Sequence, residues 1–399
     1  MADVLTDSSG LVPFGYELDE DHVMLRDSIR EFATNVVAPG AMERDIKGEF
    51  PAEVIKQLGE MGYMGICAPE EFGGSGLDAL ASSTVVEELS YADASVGVIN
   101  SVQNSLVIDP LLKHATPEQR NEWIPKLAGG QWLGCFSLSE AGSGSDAGAM
   151  KCHAELRGDE WVINGTKMWV TSGAEADIIL LFLRTESGER RNASCLLVEK
   201  DTPGLTVGTH EDKLGIRASS TVELIFDNCR VPAGNLVGER GRGLNIALSA
   251  IDGGRLGIAS QALGIARAAL DRAVSYAMDR KQFGKPISDY QAIQWKIADM
   301  ATRIAASRAL IYKGCWLKDQ GQSAARLAAM AKVFASETAT FCANQAMQVF
   351  GGMGYCRESQ VERHLRDAKI TEIYEGTSEM QRLTITGSLI KNPDRIGEV

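Results

Sequence analysis

Beyond Gly241 the chain carries three long alanine-rich runs, Gly254–Met278, Tyr290–Asp319 and Ala324–Val349, each with apolar residues at three- and four-residue spacing. That spacing predicts amphipathic helices, and the alanine content suits close approach of their axes. Short connections make successive helices antiparallel neighbours. With a further helix after Glu375 the segment closes as a four-helix bundle, of a length that favours further association.

The rest of the chain must fit ahead of that bundle. From about Trp132 the pattern turns to strands. Glu160–Val170 contains Asn164-Gly165 between two apolar runs, which predicts a hairpin turn, and Ile178–Leu183, Ala193–Glu199, Gly204–Val207 and Thr221–Phe226 read as further strands. Upstream, helices are expected at Asp19–Val37, closed by Pro39, and at Pro51–Met61, Ala79–Tyr91, Asn100–Lys113 and Pro117–Leu127. A polar lead ending near Pro13 precedes them. The expected fold is α+β and mostly α: an N-terminal helical domain (1–131), a middle β domain of barrel or sandwich type (132–240) and the C-terminal bundle (241–399).

Composition excludes several classes. A net charge of −13 argues against a nucleic-acid partner, which draws on clustered Lys and Arg. The longest apolar stretch, Ile178–Leu183, is too short to span a bilayer, so no membrane association is expected. The N-terminus has neither signal-peptide nor transit character. That points to a cytoplasmic protein of bacterial type, or to a processed form from the mitochondrial matrix. Eight scattered cysteines without a Cys-x-x-Cys pair, and five dispersed histidines, predict neither a disulfide framework nor a metal site.

Chemistry concentrates in Thr371–Arg382, where Tyr374-Glu375-Gly376-Thr377-Ser378 sets a carboxylate on a turn before a helix start. Thr377 or Ser378 can cap that helix, leaving Glu375 outside it. Apolar Ile373 and Tyr374 beside it would exclude water and raise its pKa into the range of a working base. On the segment alone, a solvated glutamate in a capping loop is the commoner outcome.

The segment resembles the catalytic loop of the acyl-CoA dehydrogenase family, and the resemblance runs in order from Tyr16 to Ile390, nearest the short-chain (butyryl-CoA) members. It implies that Glu375 abstracts the α-proton of a short-chain acyl-CoA while N5 of FAD accepts the β-hydride, giving the trans-2-enoyl-CoA. Electrons would pass to an electron-transfer flavoprotein. Phe136-Ser137-Leu138-Ser139-Glu140-Ala141-Gly142-Ser143-Gly144-Ser145 resembles the flavin loop: Phe136, Leu138 and Ser139 would contact flavin and Ser145 the pantetheine arm. A Gly/Ser loop by itself is more often a flexible linker. Trp169 and Thr171 match the Trp-x-Thr that flanks the flavin, although a sheet-core tryptophan would look the same. Arg280, Phe283 and Gln291, with Gln348, Gly351 and Gly352, resemble the groups that hold FAD of a neighbouring subunit, which implies a homo-oligomer, a tetramer. Thr377 and Glu379 are further flavin contacts by the same match; Tyr374 and Gly376 are substrate contacts. Asp252-Gly253-Gly254-Arg255, expected to open the first bundle helix, resembles the thioester-binding Asp-x-x-Arg. Some relatives carry their base just before this arginine; Gly254 has no side chain to offer, which leaves Glu375 as sole candidate.

Substrate width is bounded less tightly. Gly97–Leu106 looks like the short-chain pocket helix. Between Arg44 and that helix the basic residues are Lys47 and Lys56, with none on the helix before Lys113, which disfavours a dicarboxylate substrate. Branched or cyclic acyl groups stay open, as do an oxidase on the same fold and, from a different class, a non-catalytic flavoprotein on nucleic acid. The net charge and a tail without a basic run, Asp394–Val399, speak against the last.

Overall fold

A computed structural model describes residues 18–185 and 192–391. The polar lead before Pro13 and the tail Asp394–Val399 lie outside the described residues.

Helix α1 (Glu20–Phe32) starts on Asp19, whose carboxylate accepts the His22 N–H at 2.9 Å. Pro39 does not close it. A π-turn over Ala33–Val37 carries the chain into α2 (Ala38–Lys47), with Pro39 in the first turn of α2. The wider turn re-registers the hydrogen bonds where proline supplies no N–H. Next come α3 (Ala52–Glu60) and α4 (Ala79–Ala92), the latter capped by Asp78. The expected helix at Asn100 begins earlier, at Ala94, because Asp93 accepts from Ser95 N and caps α5 (Ala94–Ser101). It runs through a second π-turn, Val102–Ile108, into α6 (Asp109–His114), and a Thr116/Gln119 capping box starts α7 (Pro117–Ala128).

Eight strands form one mixed sheet: β1 (Gly134–Ser137), β2 (His153–Arg157), β3 (Glu160–Thr171), β4 (Ile178–Arg184), β5 (Ala193–Glu199), β6 (Leu205–His210), β7 (Thr221–Pro232) and β8 (Leu236–Val237), in the order β6-β7-β3-β2-β4-β5-β8 with β1 parallel to β4. Asn164-Gly165 is not a hairpin turn. The tight turn is Gly158-Asp159, between β2 and β3, and Asn164-Gly165 is a bulge within the continuous strand β3. Gly165 has φ +139°, and a Cβ there would lie 2.7 Å from Cys152 Cα. The Asn-Gly pair thus serves backbone approach and strand bending, not reversal.

The bundle comprises α8 (Gly243–Asp279), α9 (Gln291–Asp319), α10 (Ala325–Phe350) and α12 (Ser378–Lys391), with the short α11 (Val361–Ile370) ahead of α12. Between α8 and α9 a two-residue hairpin joins β9 (Lys281–Gln282) to β10 (Lys285–Pro286). Helix α8 packs on α10, α4 and α9, so the N-terminal helices and the bundle share one apolar core. It begins eleven residues before Gly254, so Asp252-Gly253-Gly254-Arg255 lies inside the helix rather than opening it. No helix of the described residues is long and apolar enough to cross a membrane.

Candidate active site

The turn from α11 to α12 is built from two successive left-handed residues, Glu375 (φ 52°) and Gly376 (φ 90°). Left-handed backbone costs a non-glycine residue roughly 1 kcal/mol, so the surroundings must hold Glu375 in place. They do so through the carbonyls. Gln381, fully buried in the first turn of α12, donates to Glu375 O at 3.2 Å and Gly376 O at 2.7 Å. Thr377 caps α12 by accepting from Met380 N at 3.3 Å, and Glu379 points to solvent in the first turn.

The Glu375 side chain turns inward. Its Oε2 is buried with no hydrogen-bond partner, and a Cβ added to Gly254 of α8 would strike that oxygen and come within 3.0 Å of Leu106. Burial raises the carboxyl to about 7, against the opposing pull of the Lys332 and Arg255 charges. Apolar flanking by Ile373 does not cause this, since Ile373 is half exposed; desolvation comes from α8 and the Val102–Ile108 segment. Tyr374 donates its hydroxyl to Gln261, and burial pushes its pKa well above the usual phenol value. On α8, Arg255 is buried and bonds Asp252 at 2.5 Å, with its Nε left without a partner.

The flavin-type loop stands across the same segment. Gly134 at the start of β1 packs on Val107 and accepts positioning from Gln103, whose Oε1 takes the Gly134 N–H at 2.8 Å. Phe136, its ring 4.8 Å from that of Phe182, and buried Leu138 follow. Ser139 O accepts from Met168 N at 2.9 Å, which brings Trp169 beside the loop; Ser145 is exposed. Trp169 is not a core residue: at φ 57° it sits on a β-bulge with 52% of its surface exposed, and Thr171 is half-buried nearby on β3. Buried hydroxyls of Ser137 and Ser172 have no partner. An exposed indole, unsatisfied hydroxyls and open space at Gly142 and Gly144 fit a flat polar ring such as flavin.

Arg280, Phe283, Gln291, Gln348, Gly351 and Gly352 gather elsewhere, at the end of the bundle where α8 and α10 finish and α9 begins; the Tyr276 and Phe350 rings stack there at 4.1 Å. All six are exposed. From Gly254 to the end of α8 is roughly 35–40 Å along the axis at 1.5 Å per residue, so one protomer does not bring them to its own Glu375.

Two groups escaped the sequence reading. Gln381 was visible only as a first-turn residue. Lys332 of α10, fully buried, donates to Gly376 O at 2.8 Å. Its signal was a lysine within the apolar stripe that also contains Ala328, Ala329 and Ala335.

Comparison with known proteins identifies the family. The models for the acyl-CoA dehydrogenase N-terminal, middle and C-terminal domains match residues 19–131, 135–229 and 241–390. The short-chain specific acyl-CoA dehydrogenase, mitochondrial, of Bos taurus is 51% identical over 377 residues, covering 94% of this chain and 92% of the relative. Butyryl-CoA dehydrogenase from Megasphaera elsdenii superposes with a TM-score of 0.92 at 41% identity, covering 94% of this chain and 99% of its own. A chain from work on the electron transferring flavoprotein of Acidaminococcus fermentans gives 0.94 at 43% identity, covering 96% and 100%. With all three domain models matched in order and half the residues shared with a full-length relative, the chain belongs to the acyl-CoA dehydrogenase family and is, like its members, an FAD-dependent enzyme.

Proposed function

We propose that the protein dehydrogenates a short-chain acyl-CoA to the trans-2-enoyl-CoA with Glu375 as the base. One observation carries the reading: a single carboxylate, buried, unpartnered and raised to about 7, faces a helix position without a side chain. A base of that pKa is ionised for much of the time near neutral pH and strong enough to accept a proton. An α-proton beside a thioester is weakly acidic, so the carbonyl must be polarised as well; the Glu375 backbone N–H, aimed by the two left-handed residues, is the proposed donor. The bound flavin supplies the two-electron acceptor for the β-hydride. Phe136, Leu138, Ser139, Trp169 and Thr171 would hold its ring, with Thr377 and Glu379 at its edge. Asp252, Arg255, Ser145, Tyr374 and Gly376 would line the thioester and pantetheine path.

Leu106 and the Glu375 carboxylate converge on the same bare position at Gly254, which supports a short acyl chain. Exposed Arg280, Phe283 (94% exposed) and Tyr355 (86%), with Trp295 on α9, support a homo-oligomer, a tetramer, in which the outer bundle end serves a neighbour's FAD. The division into parts near residues 131 and 240 is proposed with it. An electron-transfer flavoprotein is the proposed acceptor, supported by the third comparison above. Anaerobic titration of the flavin with straight, branched and cyclic acyl-CoAs tests the substrate: butyryl-CoA is expected to bleach it most completely. Stoichiometric peroxide on adding butyryl-CoA in air would instead mark an oxidase.

A further inference from the structure

We propose that Lys332 is the positioning residue of the base turn: its buried ammonium fixes the Glu375-Gly376 backbone and holds the adjacent carboxylate ionised near neutral pH. This rests on Glu375 being the base. The Gly376 carbonyl already accepts from Gln381 at 2.7 Å, so satisfying that oxygen does not require a lysine. The ammonium is nonetheless fully buried, with its hydrogen bond to Gly376 O at 2.8 Å, on a helix face shared with Ala328, Ala329, Ala331, Ala335 and Ser336, whose hydroxyl bonds its own helix at Val333 O. Burying a cation there costs several kcal/mol unless an opposite charge nearby offsets it.

The surroundings show where that charge acts. The charges that act on Lys332 come from Glu375 and Glu372 of the turn, Glu379 of α12 and Arg255 of α8. Glu372 is bonded to Thr340 and to Lys369, Glu379 is exposed, and Arg255 is tied to Asp252 at 2.5 Å. Glu375 alone offers a buried carboxylate oxygen without a partner. The lysine bonds the backbone rather than the carboxylate, so its charge favours ionisation without occupying the oxygen that must receive a proton. Burial lowers Lys332 itself to about 8, leaving a window from about 7 to about 8 in which base and lysine are both charged.

The test compares wild type, Lys332→Met and Lys332→Arg as flavin-loaded protein. Two readouts run against pH: the rate of flavin reduction by butyryl-CoA, and the infrared band of the protonated Glu375 carboxyl, assigned by its loss in Glu375→Gln. Lys332→Met is expected to move both midpoints up by about one pH unit or more, with a rate loss at pH 7 of about fivefold or more that recovers towards pH 9. Lys332→Arg is expected to leave them near wild type. A Lys332→Met rate reduced by one factor at every pH, with an unmoved infrared midpoint, overturns the proposal in favour of a purely structural lysine. So does failure of both Lys332→Met and Lys332→Gln to fold while Lys332→Arg folds. If wild type is not reduced by any acyl-CoA, the functional reading fails, while the infrared titration still decides the role of Lys332.

Discussion

Replacing Glu375 by glutamine removes one titratable proton and almost no volume, so chemistry and stability should respond in opposite directions. Loss of a general base costs about 10²–10⁴ in rate, or about 2.7–5.4 kcal/mol of barrier at 1.36 kcal/mol per decade. The stability effect follows from the raised carboxyl. The folded protein keeps a proton up to about 7 that the unfolded chain releases near 4.5. Stability therefore falls as pH rises from the lower value to the higher and levels off beyond it. Full linkage amounts to about 3 kcal/mol, of which about 2 develops between about pH 5.5 and pH 8.5. Glu375→Gln removes this slope, and the cost of a buried amide lacking a partner offsets part of the gain equally at every pH. Anaerobic stopped-flow reduction by butyryl-CoA measures the rate; denaturant unfolding of the flavin-loaded protein at the two pH values measures the slope. Parallel pH–stability curves for wild type and variant, or flavin reduction retained within tenfold, would refute the placement of a desolvated base at this position.

Three further outcomes are expected. Lys167→Met should destabilise by about 3 kcal/mol in denaturant unfolding, because it removes the counter-charge that the buried Glu140 carboxylate now takes at 2.8 Å and leaves it only the Lys151 and Cys152 backbone N–H groups; the loop at Leu138, which the same lysine bonds, should loosen with it, read as faster flavin release. Gly165→Ala should lower the unfolding free energy by at least about 2 kcal/mol, since it adds a side chain at φ +139° with Cys152 Cα only 2.7 Å away. Arg280→Ala should leave the protomer fold intact and lower both the flavin-to-protein absorbance ratio and the assembled fraction in gel filtration; a fully flavinated oligomer from that variant would remove Arg280 from the inter-subunit site.

Local chemistry alone determined much of this protein. Alanine-rich spacing set α8, α9 and α10; strand-length apolar runs set β4, β5, β6 and β7; and the Glu-Gly-Thr-Ser turn with its cap set where α12 begins and left Glu375 outside it. Those features are written within a few residues of where they act, so spacing and capping rules reach them. Other features were decided by what lies across the fold. Pro39 ends no helix because a π-turn absorbs it, and Asn164-Gly165 makes no hairpin because β3 stays paired through it, Asn164 with His153 of β2 and Gly165 with Phe226 of β7. Trp169, which would pass for a core aromatic, is turned outward by a bulge against β7. The proposed base shows the division most plainly. The chain names the carboxylate, but its pKa near 7 comes from Gly254, Leu106, Arg255 and Lys332, residues 43 to 269 positions away whose desolvation and charge act only once α8, α10 and the Val102–Ile108 segment are packed around it.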